Sequence, residues 1–286
     1  MQDIFSASAL AGECVLVTGG GTGLGQAIAQ RLVSLGATVH LCGRREAVLA
    51  EAAEGLAALG GAGRVHAHVT DIRDAEAVDA MFDRIWAMGP LTALVNNAAA
   101  NFISPTEKLS SRAFDAIANT VLHGTFYVTN AAGRRWIAAG APGAVLSIVN
   151  TGVVNGAPFT VPAVMCKAGI AAMTKSLAIE WGRHGIRLNA IGPGVFPTPG
   201  ATSRLMQTNT PEMQAARNPM LRNGEMSELQ NLAAFMLMKE CTYLSGQVVM
   251  LDGAHHLANG NLFSPLLAVT AAQWQEIREN AREKRA

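Results

Sequence analysis

Short apolar runs alternate with segments of helical period from Cys14 to about Leu251, and this alternation restricts the fold more than any other feature of the chain. Residues 15–17, 37–42, 64–69, 91–95, 144–149, 187–191 and 247–251 read as strands, and residues 27–35, 46–59, 75–88, 114–138, 163–183 and 227–238 as helices. Several of the strand runs, 91–95 among them, are apolar on both faces. A strand covered on both sides belongs to a parallel sheet, and parallel neighbours need a helical crossover between them. The pattern therefore predicts an α/β chain with a doubly wound parallel sheet flanked by helices. At 286 residues, with half of them hydrophobic, the chain can bury a core without disulfides or metals. No repeat or linker divides it, so residues 1–286 are expected to form one domain. Residues 193–219 hold five prolines and read as a flap. A C-terminal extension of about residues 254–286 ends in a helix, with Thr270 and Gln273 spaced as a capping box.

Charge and cysteine usage narrow the class. A formal net charge of +1 gives no electrostatic footprint for nucleic acid or anionic lipid. No apolar run reaches the ~20 residues of a membrane span. The N-terminus lacks the basic and apolar regions of a signal peptide. The four cysteines, Cys14, Cys42, Cys166 and Cys241, show no paired or metal-like spacing and are expected as reduced thiols in a cytoplasmic protein. The seven histidines are scattered, and no metal site is expected.

The first strand runs directly into Thr18-Gly19-Gly20-Gly21-Thr22-Gly23-Leu24-Gly25, and a helix follows. Without side chains the backbone can approach a pyrophosphate, and the helix N-terminus offers free N–H groups and the positive end of its dipole. In this strand–turn–helix setting the loop is the dinucleotide-binding element of a Rossmann-type fold. The residues Gly19, Gly21, Thr22, Gly23, Leu24 and Gly25 are expected at the phosphates. The second strand ends in Cys42-Gly43-Arg44-Arg45, with no acid to accept from a ribose 2′-hydroxyl. Two guanidiniums at that point, Arg44 and Arg45, match a 2′-phosphate, so the expected cofactor is NADP(H). Asp71, after the third strand, is placed to accept from the adenine amino group or to cap the following helix.

Asn96-Asn97-Ala98-Ala99 and Pro193-Gly194 resemble the short-chain dehydrogenases/reductases. Within that superfamily, residues 96–107, the run Ala201-Thr202-Ser203-Arg204-Leu205 and the tail with Gln273-Trp274 are similar to the 2,4-dienoyl-CoA reductases, homotetramers that reduce dienoyl-CoA thioesters with NADPH. The resemblance covers essentially the whole chain. It implies that Asn96 and Asn97 support the cofactor site and that Pro193, Gly194 and Phe196 meet the nicotinamide carboxamide. It implies further that Lys167 holds the nicotinamide ribose and that Asn101 donates to the thioester oxygen. By the same resemblance Phe102, Ser110 and Arg204 touch the acyl-CoA, and Arg44 serves both the 2′-phosphate and the CoA end. Phe159, Val161, Met165 and Met206 are expected to add apolar surface to the acyl site, while Cys166 is expected as a small buried hydrophobe.

One departure bears on the chemistry. The superfamily pattern of asparagine, serine, tyrosine and lysine is met here by Val121, Asn150, Ala163 and Lys167. The alternative tyrosine placements, fifteen or seven residues before the lysine, fall on Gly152 and Thr160, and the chain's two tyrosines are Tyr127 and Tyr243. The peroxisomal dienoyl-CoA reductases resemble this chain in lacking the tyrosine. Reduction of a conjugated thioester needs donors to the thioester oxygen, and carbon can take its proton from water. Asn101 supplies one donor; Asn150, Thr151 or a bound water offers another. The expected function is an NADPH-dependent reductase of conjugated acyl-CoA thioesters. An NADP(H)-binding protein of low or no turnover, acting as a sensor or partner subunit, or a reductase of another conjugated or carbonyl substrate, fits the same residues.

Overall fold

β-branched and leucine-rich runs become strands, and the glycine- and alanine-punctuated segments between them become crossover helices. The strands are β1 (Cys14–Thr18), β2 (Thr38–Gly43), β3 (Val65–Val69), β4 (Ala93–Asn96), β5 (Gly143–Ile148), β6 (Ile186–Pro193) and β7 (Val248–Leu251). In the computed structural model, which describes residues 4–60, 63–200, 210–258 and 260–283, they form one parallel sheet in the order β3-β2-β1-β4-β5-β6-β7. The order reverses between β1 and β4, and this opens a crevice at the carboxyl ends of the strands. This is the single-domain, doubly wound Rossmann-type architecture that the strand and helix pattern predicts. Among the described residues no helix is long and apolar enough to cross a membrane.

Two layers of helices cover the sheet. One face carries α1 (Gly23–Ser34) and α2 (Glu46–Gly60), whose core side chains include Leu32 and Leu49. The other carries α3 (Ala75–Met88), where Phe82 and Ile85 are fully buried. Next comes a long helical rod in three pieces: α4 (Ser111–Ala118), a π-helical turn (Asn119–His123) and α5 (Gly124–Ala139). Trp136 on α5 is fully buried and its indole N–H donates to the Leu91 carbonyl at 2.6 Å. The short α6 (Gly152–Asn155) and the long α7 (Val161–Trp181) follow β5. Further α-helices among the described residues are α8 (Pro211–Arg217), α9 (Met226–Leu237), α10 (His255–Ala258) and α11 (Ala271–Glu283). α9 returns to the α1 face, where Leu229 and Ala233 join the core.

The differences from the sequence reading are local. The first helix starts at Gly23 rather than near residue 27, because its opening residues are the glycines of the loop and carry no apolar period. The long helix over residues 114–138 begins earlier, at Ser111, and contains the π turn. Part of the expected flap is ordered as α8, whose start is capped by Thr210 and carries Pro211 in its first turn. The tail helix has the expected capping box: Thr270 N–H donates to the Gln273 carboxamide oxygen at 2.9 Å, and Gln273 N–H donates to the Thr270 hydroxyl at 3.3 Å.

The register of β2 and β3 brings histidines together that are far apart in sequence. His40 faces His66 across the strands, and the His40 Nδ1 and His68 Nε2 atoms lie 2.8 Å apart. His40 is 1% exposed and His68 8%. One ring must donate and the other accept, so the pair is satisfied only when at least one imidazole is neutral. Burial first, then the neighbouring imidazoles and Arg84, push both below the usual histidine range near 6.5. A folded-state pKa below the unfolded one means that the unfolded chain binds more protons on acidification. The stability contribution is therefore complete above about pH 6.5 and is lost as the pH falls, at up to ~1.4 kcal/mol per histidine for each pH unit. The thermal midpoint should drop between about pH 7 and about pH 5, and a His68→Gln variant should show a flatter pH dependence. A variant midpoint that falls as steeply as the wild type's would remove the pair as the cause.

Candidate active site

The crevice is built first by backbone. Thr18, the last residue of β1, accepts from the N–H groups of Asn97 and Ala98 at 3.0 and 3.1 Å through its hydroxyl, which donates to the Val95 carbonyl at 3.3 Å. Asn97 returns the contact: its amide nitrogen donates to the carbonyls of Thr18 and Gly19 at 3.1 and 3.2 Å. These bonds staple the end of β4 to the glycine loop. Two glycines are required there by space. Gly19 has φ +64, and a Cβ on it would come within 3.0 Å of the Ala98 Cα. A Cβ on Gly25 would lie 2.6 Å from the Gly19 carbonyl and collide with the Asn97 amide. Thr22 makes no side-chain cap on α1, and no acid stands in the first turn, so the leading N–H groups of that helix are left without a protein partner from either source.

A cavity of about 640 Å³ runs from this loop along the strand ends. Of the residues expected at a cofactor, Gly19, Gly21, Thr22, Leu24, Arg44, Arg45, Asp71, Asn97, Lys167 and Pro193 line it, and so does Asn101. Gly23 and Gly25 shape the loop without lining the cavity. Gly194 packs on Asp252, and Asn96 is buried with its amide donating to the Thr129 hydroxyl at 2.8 Å. The side chain of Phe196 lies in the core, 6% exposed and packed against Gly224, so any part it plays is through its backbone.

The remaining expected residues are not gathered at this cavity. Phe102 is exposed on the loop beyond Asn101. Ser110 caps α4, accepting from the Ala113 N–H at 3.2 Å, and lines a separate apolar groove with Val161 and Met165. Phe159 is exposed, with φ +63. Arg204 and Met206 lie outside the described residues.

The electrostatics differ along the cavity. At the ends of β2 and β3, Arg44 and Arg45 enter no ion pair among the described residues. Asp71 is held by Arg73, whose Nε donates to both carboxylate oxygens at 2.9 Å. That hydrogen bond, only partly opposed by burial, keeps the Asp71 carboxyl below the usual range. Asp71 does not cap the next helix, a role the sequence left open for it. Asp74 does so, accepting from the N–H groups of Glu76 and Ala77 at 3.0 and 3.1 Å.

At the other end Lys167 is 7% exposed and its ammonium donates to the Ile148 carbonyl. Burial lowers its pKa to about 8. Beside it Ala163, 4% exposed, faces the cavity from the same helix. No tyrosine lines the wall, and Tyr243 is fully exposed elsewhere. Cys166 is buried, and burial raises its pKa away from thiolate reactivity. No group of three or more histidine, cysteine or acidic residues is arranged to hold a metal among the described residues.

Three residues that line this cavity each carry a buried side-chain oxygen with no partner among the described residues: Thr70 Oγ1, Asn101 Oδ1 and Asn150 Oδ1. A buried polar atom left unpaired costs on the order of 1–3 kcal/mol, so each of these side chains is a candidate to gain a partner when a ligand binds. The sequence reading did not single out Thr70 or Thr120 as lining residues. Thr70 directly follows β3, so the rule that ligands sit at strand carboxyl ends would have found it. Thr120 is presented by the π turn, which no hydrophobic period announces.

Comparison with known proteins gives a consistent picture. A family model described as enoyl-(acyl carrier protein) reductase matches residues 19–256. A probable 2,4-dienoyl-CoA reductase [(3E)-enoyl-CoA-producing] of Caenorhabditis elegans is 41% identical over 260 residues, covering 88% of this chain and 84% of the relative. A probable 2,4-dienoyl-CoA reductase [(2E)-enoyl-CoA-producing] of Bacillus subtilis is 35% identical, covering 86% and 97%. Among solved structures, a short chain dehydrogenase from Bacillus anthracis superposes with a TM-score of 0.81 at 33% identity, over 90% of this chain and 100% of the other. A gluconate 5-dehydrogenase from Burkholderia cenocepacia, solved in complex with NADP and tartrate, gives 0.81 at 27% identity over 87% and 97%.

Proposed function

Since this chain belongs to the short-chain dehydrogenase/reductase superfamily, close to the 2,4-dienoyl-CoA reductases, we propose that it is an NADPH-dependent reductase of conjugated acyl-CoA thioesters. One observation carries the reading. The cavity runs from a loop that a Cβ would fill to a buried lysine, and its lining there holds Asn101, Asn150 and an alanine where a carbonyl reductase needs a proton-donating hydroxyl.

The residues present fit a phosphorylated nicotinamide dinucleotide. The glycine loop and the leading N–H groups of α1 would hold the pyrophosphate. Arg44 and Arg45 would hold the 2′-phosphate, with Thr70 and Asp71 near the adenine. Lys167 and the backbone of Pro193, Gly194 and Phe196 would hold the nicotinamide riboside. When bound, the cofactor supplies the hydride.

The protein's own part is positioning and charge stabilisation. Hydride addition to the far end of a conjugated thioester moves an electron pair onto the thioester oxygen. Asn101 donates to that oxygen, and the buried ammonium of Lys167 lowers the energy of negative charge developing near it. No protein group has to give up a proton, because the carbon is protonated from water. Ala163 is compatible with this route and incompatible with efficient reduction of a simple ketone. The acyl-CoA would enter past Phe102 and Ser110, with Arg204 at the CoA side. This reading places the protein in the cytoplasm as a homotetramer acting on conjugated intermediates of fatty-acid β-oxidation.

The test is NADPH oxidation with 2,4-hexadienoyl-CoA. Turnover supports the reductase. Tight NADPH binding with no turnover on this or longer dienoyl-CoA thioesters would make the chain a binding protein instead. Coenzyme choice offers a separate check. Each guanidinium–phosphate contact is worth roughly 1.5–3 kcal/mol, so Arg44→Ala should weaken NADPH binding by about tenfold to a hundredfold and leave NADH binding nearly unchanged. Equal losses for both coenzymes, measured by fluorescence titration, would deny Arg44 the 2′-phosphate.

A further inference from the structure

We propose that Arg73 is a specificity-determining residue for the coenzyme: it engages the Asp71 carboxylate and so keeps Arg44 free for the 2′-phosphate of NADPH. This deepens the reductase reading and rests on its choice of coenzyme. Strand register brings the groups together. Gly43 and Val69 are paired across β2 and β3, and Thr70 N–H donates to the Gly43 carbonyl at 2.8 Å. Arg44 directly follows β2, and Asp71 stands two residues beyond β3. Both line the cavity. A cation suited to a phosphate thus has a carboxylate for a neighbour. An unengaged carboxylate there would act against a phosphorylated coenzyme twice. It would attract the Arg44 guanidinium, and it would repel a phosphate monoester, which carries a charge of about −1.5 to −2 at pH 7. A coenzyme with a free 2′-hydroxyl meets neither penalty.

Arg73 resolves this conflict. Its Nε donates to both Asp71 oxygens at 2.9 Å, its Nη2 donates to Oδ2, and its backbone N–H donates to Oδ1 at 3.1 Å. The Arg73 side chain first, and Arg44 more weakly, hold the Asp71 carboxyl below its usual range against the opposing effect of burial. Arg44 is therefore near enough to feel that carboxylate. Arg73 does not line the cavity, so it acts on the coenzyme through Asp71. The turn between β3 and α3 fixes its place. Ile72 is buried against Gly124, on which an added Cβ would come within 2.7 Å of the isoleucine side chain. Asp74, the cap of α3, donates its N–H to the Asp71 carbonyl at 3.1 Å. Asp71 and Arg73 are thus presented as a unit on either side of a buried anchor. Their side chains are 32% and 42% exposed, so water and salt moderate the effect, and its expected size is modest.

The test measures Kd for NADPH and for NADH by fluorescence titration in the full-length wild type, Arg73→Ala, Arg73→Lys, Asp71→Asn and the Asp71→Asn/Arg73→Ala double variant. Arg73→Ala should weaken NADPH binding by about threefold to tenfold and leave NADH binding within about twofold, and the loss should shrink in about 0.5 M salt. Arg73→Lys, which keeps the charge but not the planar fork, should fall between alanine and wild type. In the Asp71→Asn background no carboxylate remains to be engaged, so adding Arg73→Ala should change the ratio of NADPH to NADH affinity by less than about twofold. Direct contact between Arg73 and the phosphate would give the same NADPH loss in both backgrounds. A merely structural role would weaken both coenzymes together and lower the thermal midpoint. Either result, or an unchanged ratio in Arg73→Ala beside a wild type that prefers NADPH, overturns the role of Arg73 alone. A wild type that binds NADH at least as tightly as NADPH overturns the coenzyme reading and this inference with it.

Discussion

Lys167→Met lowers kcat/KM for dienoyl-CoA reduction by about 10³-fold or more and leaves the protein folded. The fold survives because methionine follows the course of the lysine stem. Replacing a buried ammonium, whose one hydrogen bond among the described residues is to the Ile148 carbonyl, by an apolar group of similar length is close to neutral for stability. Activity does not survive, because two effects are lost together. The ammonium is the group expected to orient the nicotinamide ribose, and it is a buried cation in the lining of the cavity that Asn101 and Asn150 also line. Misplacement of a hydride donor by about 1 Å costs on the order of a hundredfold, and loss of the local positive charge adds to it. The wild type should also show a basic limb. Burial lowers the lysine pKa to about 8, so kcat/KM for the free enzyme should fall as the pH rises through that value and the ammonium loses its proton. The variant should lack this limb. Steady-state kinetics of Lys167→Met across pH decides the matter, and a variant within about tenfold of wild type would show that Lys167 is structural.

Asn101→Ala should cost about 10²–10³ in kcat, close to 3 kcal/mol of transition-state stabilisation, with NADPH binding preserved. The loop that carries Asn101 starts from the Thr18–Asn97 staple and ends at the Phe159 carbonyl, which accepts from Ser104 N–H at 2.9 Å. Truncation at Asn101 removes neither anchor, so the loop should keep its course. The alanine variant also removes a buried oxygen that has no partner in the free protein. A small gain in thermal stability should therefore accompany the loss of activity. A mutation that damages the structure lowers stability and activity together, and thermal melts beside single-turnover NADPH oxidation read both quantities. Unchanged turnover would assign the thioester oxygen to other donors.

Much of this was legible before any coordinates. Apolar runs such as Val15-Leu16-Val17, bounded by turns and separated by helical segments, dictate a parallel sheet, and the glycines at Gly19 to Gly25 dictate what its first crossover must leave open. What sequence could not show depends on distance. The His40–His68 contact joins residues 28 apart through the register of two strands, and no spacing rule lists it. The Thr18–Asn97 staple explains why a residue expected to touch the cofactor also supports the loop. The side chain of Phe196 turned inward because the segment after β6 closes over the core at Gly224. The order in α8 was available in Thr210-Pro211, a cap followed by proline, but was masked by the density of prolines around it.

The π turn at Asn119–His123 has a consequence for how this helical rod can change over evolution. One additional residue in a turn rotates everything beyond it by about 100° relative to an uninterrupted helix. Ile117 and Val121 can thus stay in the core while Thr120 looks into the cavity, and the α5 half can aim Val128 and Trp136 at the sheet. The two halves answer to different selective demands, one to ligand shape and the other to stability, and the phase slip between them lets each drift without dragging the other. A single-residue deletion there would couple them again.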